Sequence, residues 1–440
     1  MGILQDPQPL SGSSHFSSLS PVETDEVFNL LGAYRQDTHP SRVNLGAGVY
    51  CTDEGESWPL RVVERVEKSL YEDRDPRRHD YIPIEGDRRF LDVARDLVFS
   101  SSSPTQPPSH AGKRLSQQSS VSPDRVVSVQ TISGTGANHT GARFLAETLR
   151  PGCVWLSDPT WANHHVIWSS VGVAQRLYPY YDARNCTVDF SAMMATLERE
   201  AQPRDVVVLH ACAHNPTGLD PSRDQWAAIA ELCRRKQLFP FFDSAYQGFA
   251  SGDPARDAWA IRHFCELQPP QELCVAQSFS KNFGLYGQRA GAFHLVVNDA
   301  SMVTRASVLG RLAGILRSEI SVSPRYGSTI VRTVLESEDL THAWLADLQV
   351  MSGRIKAMRL ALYSELCRLQ TPGSWKHIVD QVGMFSYTGL TPAEVAILRE
   401  RYHIYMLSSG RISVAGLNTK NVQYVAAAIH AVRTQQAYQS

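Results

Sequence analysis

No stretch of the 440-residue chain approaches the roughly 20 consecutive apolar residues that a membrane-spanning helix needs. Neither sign of charge is in surplus. Lys and Arg total 43 against 44 Asp and Glu, a net charge of −1, so nothing draws the chain toward nucleic acid or an anionic membrane. The eight cysteines, at 51, 153, 186, 212, 233, 265, 274 and 367, form no Cys-x-x-Cys pair, and no histidine cluster stands at zinc spacing. Free thiols in a reducing compartment fit this pattern, and no metal is expected. The opening MGILQDPQPLSGSSHFSS lacks the Arg-rich face of a mitochondrial presequence, and Asp6 stands where a myristoylation signal wants Ser or Thr. The closing YQS is no peroxisomal address. These absences leave a cytoplasmic chain whose partner is a small molecule or another protein chain.

What is present suits a large core or two domains of ordinary size. The first twenty residues and the segment 100–123, SSSSPTQPPSHAGKRLSQQSSVSP, are too rich in Ser, Pro and Gln to order themselves. They read as a tail and a surface loop. Between 125 and 300, the runs RVVSVQT, CVWLS, VVVLHA, FPFFDS, LCVAQS and AFHLVV alternate with helical patterns. That alternation predicts an α/β fold with a parallel sheet covered by helices on both faces. One crossover helix is well marked: Asp220 can cap it, Pro221 suits its first turn, and Trp226, Ile229, Ala230 and Cys233 share a face. From about 330 the pattern changes to a long helix over roughly 338–369, strands near GMFSYTGL and HIYMLSS, and a closing helix NVQYVAAAIHAVRTQQ. This predicts a second, smaller α+β domain.

In open α/β sheets, ligands sit outside the carboxyl ends of the strands. The first such end is followed by ISGTGANHTGARF, where Ser133, Gly134 and Thr135 precede a helix whose first amides suit a phosphate. A dinucleotide fingerprint would want glycine at 139, which is His139, and a P-loop would want lysine at 142, which is Ala142. A lone phosphate remains, set against a glycine turn with no ligand. In CAHNPTG the amide of Asn215 can donate to an anionic oxygen, although NPTG is equally an ordinary turn. After FPFF comes Asp243, with Tyr246 three residues on. A carboxylate there is costly unless it meets a cation, and taken alone it reads first as a helix N-cap.

SFSKNFGLYGQRAG then sets Lys281 directly after an apolar strand. A lysine desolvated at a strand end has its ammonium form disfavoured, which makes the amine a nucleophile toward carbonyls; snorkelling to the surface is the commoner fate of lysines. Its company decides between the two. Phosphate donors at 133–135, an amide at 215, an acid at 243 and the guanidinium of Arg289 call for one ligand that needs all of them. Pyridoxal phosphate has an aldehyde for the lysine, a pyridinium nitrogen for the acid, a phenolate oxygen for tyrosine and amide donors, and a phosphate.

The segments SFSKNFGLYGQRAG, LHACAHNPTG, FFDSAYQGFASG, DPTWANHH and SSGRISVAGL resemble the aspartate aminotransferase subgroup of fold-type I pyridoxal-phosphate enzymes. The resemblance runs from about Val43 to Val432 and breaks mainly in 100–123. It implies that Lys281 holds the cofactor as a Schiff base and later shuttles the proton at the substrate Cα. Asp243 would keep the pyridine nitrogen protonated, while Tyr246 and Asn215 would hydrogen-bond the ring oxygen. Ser133, Gly134, Thr135, Ser278 and Arg289 would hold the phosphate, with Trp161 stacked on the ring. Tyr81, in DYIPIEG, would reach the phosphate of a neighbouring subunit, which makes the active unit a homodimer with shared active sites.

For the substrate, the resemblance assigns Arg411 to the α-carboxylate, a task that suits a planar bidentate fork. It assigns Arg317, in GILRSEISVSP, to the distal carboxylate in the partner subunit, against the bland alternative of a solvated helix charge. Gly48, Trp161 and Asn215 complete the expected substrate pocket. The expected division is a tail over 1–20, a segment over 21–80 that contributes to the small domain and dimer contacts, a large cofactor domain over 81–330 carrying the 100–123 insert, and a small domain over 331–440.

The chain also departs from the family pattern. Ile320, Ser321 and Val322 stand where tryptophan, serine and asparagine are usual. Asn138, His139 and Thr140 replace a leucine-arginine-isoleucine type of sequence, and Ala47 and Cys51 replace valine and arginine. These changes leave the cofactor chemistry intact and bear on the amino-acid substrate. The expected activity is transfer of an amino group between an acidic L-amino acid and a 2-oxo acid by a ping-pong route. The alternative is decarboxylation, elimination or β/γ-substitution on an aspartate-like amino acid, and a non-catalytic scaffold is disfavoured by the presence of both Lys281 and Asp243.

Overall fold

The run VVVLH explains the centre of the fold. All five residues of the strand Val206–His210 are buried, as a strand covered on both faces requires. Its period of two sends Val206 and Val208 to one apolar cluster and Val207 and Leu209 to another. The structure, a computed structural model, describes residues 14–20, 25–73, 75–101 and 119–437. Residues 1–13 of the expected tail and 102–118 of the expected insert lie outside the described residues.

Seven strands form the main sheet: β1 (Val126–Ile132), β2 (Val154–Asp158), β3 (Gln175–Pro179), β4 (Val206–His210), β5 (Phe239–Ser244), β6 (Leu273–Ser278) and β7 (Ala290–Val296). Their spatial order is β1-β7-β6-β5-β4-β2-β3. Every neighbouring pair is parallel except those made by β7, which runs antiparallel to both β1 and β6. The sheet is thus mostly parallel and flanked by helices, as expected, with β7 the exception: only the short loop from Ser278 to Ala290 joins β6 to β7, too little chain for a parallel crossover. β3 was not foreseen, because Arg176 and Leu177 are exposed on this edge strand and its sequence carries no apolar run.

Helices cover both faces. Ser133–Thr148, Ala162–Ser170 and Met302–Glu319 bury Phe144, Trp168 and Leu316 against one side. Phe190–Glu200, Arg223–Arg235 and Trp259–Glu266 bury Met193, Trp226 and Phe264 against the other. The helix Arg223–Arg235 has the predicted apolar face but a different cap. Ser222, not Asp220, closes its first turn, in a capping box with Gln225. Asp220 instead accepts from the backbone N–H groups of Ala213 and His214 at 2.7 and 3.0 Å, bracing the loop that carries Asn215.

A third apolar cluster joins Val43, Leu45 and Val66 to residues of the long helix Glu338–Arg368 and of the closing helix Val422–Ala437. Arg359, on the long helix, is 2 % exposed and pairs with no carboxylate among the described residues. Its guanidinium donates to the carbonyls of Ile378 and Gly383, each at 2.9 Å, and to those of Val382 and Phe385. Burial pushes its pKa down to about 9, so it remains charged at neutral pH. One side chain thus holds the loop that delivers Phe385. Arg359→Met should leave those carbonyls without a donor and cost roughly 2–5 kcal/mol. A urea-unfolding midpoint unchanged from wild type would show that the loop is held by other means.

Candidate active site

The carboxyl ends of β1, β4, β5 and β6 converge because the register sets His210 beside Asp243 and Asp243 beside Ala276. They open onto a cavity of ≈ 240 Å³ lined by Gly48, Ser133, Gly134, Thr135, Trp161, Asn215, Asp243, Tyr246, Ser278, Lys281, Arg289 and Arg411. Each of these was singled out in the sequence. Two other singled-out residues are not part of this chain's cavity. Tyr81 is 88 % exposed. Arg317, in the last turn of Met302–Glu319, donates to the Ser321 hydroxyl.

The anion end is built from the β1–helix junction. Helix Ser133–Thr148 has no side-chain cap; its first N–H, on Ser133, donates to the Arg289 carbonyl at 2.9 Å, which leaves the N–H groups after it for a ligand. Ser133 takes a positive φ of 58°, and a Cβ on Gly291 would meet its carbonyl carbon at 2.5 Å, so β7 approaches this closely only with glycine there. The hydroxyl of Ser133 lies 2.6 Å from that of Ser280 and 3.2 Å from that of Ser278. Arg289 donates to the Tyr286 carbonyl at 2.8 Å and sits 3.4 Å from the Ser280 hydroxyl. No carboxylate pairs with it among the described residues.

Asp243 closes β5 at the other end of the cavity. No helix starts at it, so the N-cap reading is corrected: its backbone stays in the ladder through Ser244. Its Oδ2 lies 3.0 Å from His164 Nε2, and its buried Oδ1 has no partner among the described residues. A directed chain of hydrogen bonds fixes the histidine tautomers. The Asn215 backbone N–H can only donate, so His210 Nδ1, 3.4 Å away, accepts and its Nε2 carries the proton toward Thr160 Oγ1 at 3.3 Å. Thr160 then donates to His164 Nδ1 at 2.9 Å, and His164 Nε2–H donates to Asp243. Burial, reinforced by the neighbouring histidines, holds the pKa of His210 well below its ordinary value, which keeps that imidazole neutral. Burial works to raise the Asp243 pKa, but the His164 hydrogen bond and the nearby positive groups outweigh it, so the carboxyl ends below its ordinary value. A buried anion with one free oxygen is suited to a protonated ring nitrogen.

Lys281 lies between these two ends, its Nζ 4.9 Å from the centre of the Tyr246 ring. Burial depresses its pKa to about 8; attraction to Asp243 opposes this, and Arg289 and Arg411 add to it. Arg411, at the start of the strand Arg411–Ser413, donates to the Gly46 carbonyl at 2.7 Å, and its guanidinium carbon lies 4.1 Å from the Phe385 ring centre. It is 5 % exposed and pairs with no carboxylate among the described residues, so it is a buried cation open to an anion.

Several lining or supporting residues were missed in the sequence. His164 and His210 sat inside the quoted segments DPTWANHH and LHACAHNPTG without a role. The signal was there in part: His164 stands three residues after Trp161, on the same helix face. Ser280 repeats Ser278 at a spacing of two. Val27, Tyr286 and Phe385 also line the cavity; Val27 and Phe385 come from distant parts of the chain, while Tyr286 sat unassigned between Lys281 and Arg289.

The free oxygen of Asp243, the depressed amine of Lys281 and the anion cradle at Ser133 together fit pyridoxal 5′-phosphate, and with this fold they define a pyridoxal-phosphate-dependent aminotransferase of fold type I. Comparisons agree. The family model for aminotransferase class I and II matches residues 40–429. The chain is 50 % identical over 416 residues to the L-tyrosine:2-oxoglutarate aminotransferase of Aspergillus ustus, covering 94 % of this chain and 78 % of that protein. It is 43 % identical over 423 residues to the cytoplasmic aspartate aminotransferase of Schizosaccharomyces pombe, covering 95 % and 98 %. Among solved structures, the cytoplasmic aspartate aminotransferase of Saccharomyces cerevisiae superposes with a TM-score of 0.89 at 40 % identity, covering 96 % and 99 %. The aromatic-amino-acid aminotransferase of Burkholderia pseudomallei, covalently bound to pyridoxal phosphate, superposes with a TM-score of 0.86 at 38 % identity, covering 96 % and 100 %. The chain belongs to the aminotransferase class I and II family.

The depressed pKa of Lys281 has a kinetic consequence. In cofactor-free protein its reaction with added pyridoxal phosphate should speed up as pH rises, with a midpoint near 8 where the amine loses its proton. Asp243→Asn removes an attraction that favours the ammonium form, so the midpoint should move to lower pH. Stopped-flow absorbance measures both. A rate still climbing past pH 10, like that of an exposed lysine, would mean that Lys281 is not desolvated.

Proposed function

We propose that this enzyme moves the amino group between an acidic L-amino acid of the aspartate or glutamate kind and a 2-oxo acid, by a ping-pong route in which the first 2-oxo acid leaves before the second enters. The observation that carries the reading is Arg411, a buried cation that no internal carboxylate neutralises, set beside the depressed amine of Lys281. Arg411 binds the α-carboxylate in a bidentate fork, which fixes Cα over the cavity. When bound, pyridoxal phosphate supplies a carbonyl that condenses with amines and a ring that delocalises the electron pair left at Cα. The amine of Lys281 would be the group that takes the proton from Cα and gives it back on the carbon across the C–N linkage, the shift that amino transfer requires. Asp243, oriented by His164, holds a proton on the ring nitrogen, and Tyr246 and Asn215 orient the ring oxygen. Ser133, Gly134, Thr135, Ser278 and Arg289 retain the phosphate, and Trp161 covers one ring face.

Tyr81 and Arg317 lie outside this chain's cavity, and the reading places them in the site of a second copy, Tyr81 on its phosphate and Arg317 on the distal carboxylate. The working unit is then a homodimer, located in the cytoplasm as the printed names of the Schizosaccharomyces and Saccharomyces relatives suggest. The reading keeps a segment over 21–80 that contributes to the small domain and dimer contacts, a cofactor domain over 81–330 and a small domain over 331–440; the apolar cluster that joins the first and last also takes in Tyr246, Phe279 and Phe283 of the cofactor domain. The family membership favours amino transfer over the decarboxylation, elimination or substitution alternative.

A second reading concerns the amino donor. The Aspergillus relative is named for L-tyrosine and 2-oxoglutarate, and the cavity here carries the rings of Trp161, Tyr246, Tyr286 and Phe385. With Ile320 and Val322 in place of the usual tryptophan and asparagine, an aromatic donor with 2-oxoglutarate as acceptor is the competing substrate pair.

Single-turnover release of 2-oxo acid from L-aspartate, L-glutamate, L-tyrosine and L-alanine, identified by mass spectrometry, tests both. Dicarboxylates should react; release from tyrosine alone would replace the first reading with the second. Lys281→Ala should retain the cofactor but lose at least roughly 10²–10⁴ in turnover, the share of acid–base catalysis alone. Arg317→Ala should cost on the order of 2–5 kcal/mol in kcat/KM for a dicarboxylate and little for alanine. Equal losses for both substrates would remove Arg317 from the pocket.

A further inference from the structure

Asn138 lines the same cavity one helical turn beyond Gly134, where the family pattern has leucine, and none of the roles above uses it. The residue is 2 % exposed. Its neighbour settles which way the amide points: a carbonyl only accepts, so the atom 2.9 Å from the Gly134 oxygen is Nδ2. Oδ1 is therefore a buried acceptor, and it has no partner among the described residues. Burying an acceptor is costly unless a donor meets it.

Two residues that line this cavity carry a buried acceptor with no partner among the described residues, Asp243 at Oδ1 and Asn138 at Oδ1. The first is accounted for by a protonated ring nitrogen. The second stands on the helix that presents Ser133, Gly134 and Thr135, and is tied by its own amide to Gly134, so it belongs to the phosphate end. A phosphate dianion also only accepts, and it cannot satisfy Oδ1 directly. Two acceptors side by side are joined by a small molecule that donates twice, which is what water does. We propose that Asn138 is a positioning residue for the cofactor phosphate, holding through Oδ1 a water that also donates to the phosphate. The inference rests on the cofactor assignment above.

Isothermal titration of the cofactor-free protein with pyridoxal phosphate, inorganic phosphate and pyridoxal, in wild type, Asn138→Leu and Asn138→Asp, tests it. Asn138→Leu removes the unsatisfied acceptor, so the cofactor-free protein should melt no lower than wild type. It should bind pyridoxal phosphate and inorganic phosphate about three- to tenfold more weakly, the loss of one water-mediated hydrogen bond, and bind pyridoxal unchanged. Asn138→Asp sets a like charge beside the phosphate and should weaken both phosphate-bearing ligands further, an effect that shrinks as salt is added. A loss of pyridoxal affinity with inorganic phosphate unaffected, or tighter cofactor binding by Asn138→Asp, would place Oδ1 against the ring and overturn the proposal. Unchanged affinities in both variants would make Asn138 structural only and overturn it equally. Failure of the wild type to bind pyridoxal phosphate would instead sink the cofactor assignment itself.

Discussion

Charge taken out of water without an internal counter-charge is the constraint on which the site depends. Arg289, Arg411 and Lys281 are buried or half-buried cations that meet no carboxylate in an ion pair among the described residues, while Asp243 keeps one oxygen free. Each would be cheaper in a salt bridge or at the surface. The fold holds them apart because they sit on rigid supports, Asp243 at the end of β5, Lys281 just past β6, Arg289 just before β7 and Arg411 on the strand Arg411–Ser413. A ligand that is anionic at two points, positive at one and electrophilic in the middle relieves all four.

The supports themselves are ordinary packing. Fully buried strands with a period of two divide their side chains between two helix layers, and that requirement brings the strand ends together on one edge of the sheet. The polar groups of the site stand where the strands end, and most are braced from behind. Asp220 holds the loop before Asn215, Arg359 holds the loop that brings Phe385, and the His210–Thr160–His164 chain holds Asp243. Because that chain starts from a backbone N–H, its proton positions follow from geometry, and Asp243 receives a hydrogen bond rather than competing for a proton.

The departures from the family pattern fall into two places with different meanings. Asn138 is inside the cavity, buried and half-satisfied, and acts on the cofactor end. Ile320, Ser321 and Val322 follow the helix that carries Arg317, outside this chain's cavity, where Ser321 takes a positive φ of 67° and its hydroxyl receives the guanidinium. His139 and Arg143 both reach Glu319 in the same region, at 3.4 and 2.8 Å. The part of the chain proposed to face a neighbouring subunit's substrate is thus anchored in part by two residues that depart from the family pattern, His139 and Ser321.

The sequence by itself determined the elements whose cause is local. Apolar runs marked six of the seven strands, a 3.6-residue repeat marked the helix Arg223–Arg235, and Lys281, Asp243 and Asn215 were readable because each follows an apolar strand, while Arg411 was readable only through the family resemblance of SSGRISVAGL. It could not determine what depends on which strands become neighbours. The reversal of β7, the exposed edge strand Gln175–Pro179, and the use of His164 and Phe385 at the site follow from long-range pairing. A hydrogen bond between His164 and Asp243, 79 residues apart, leaves no periodicity in the chain. Only the tertiary structure decides such contacts, because register and packing, not local propensity, set the distance between residues far apart in sequence.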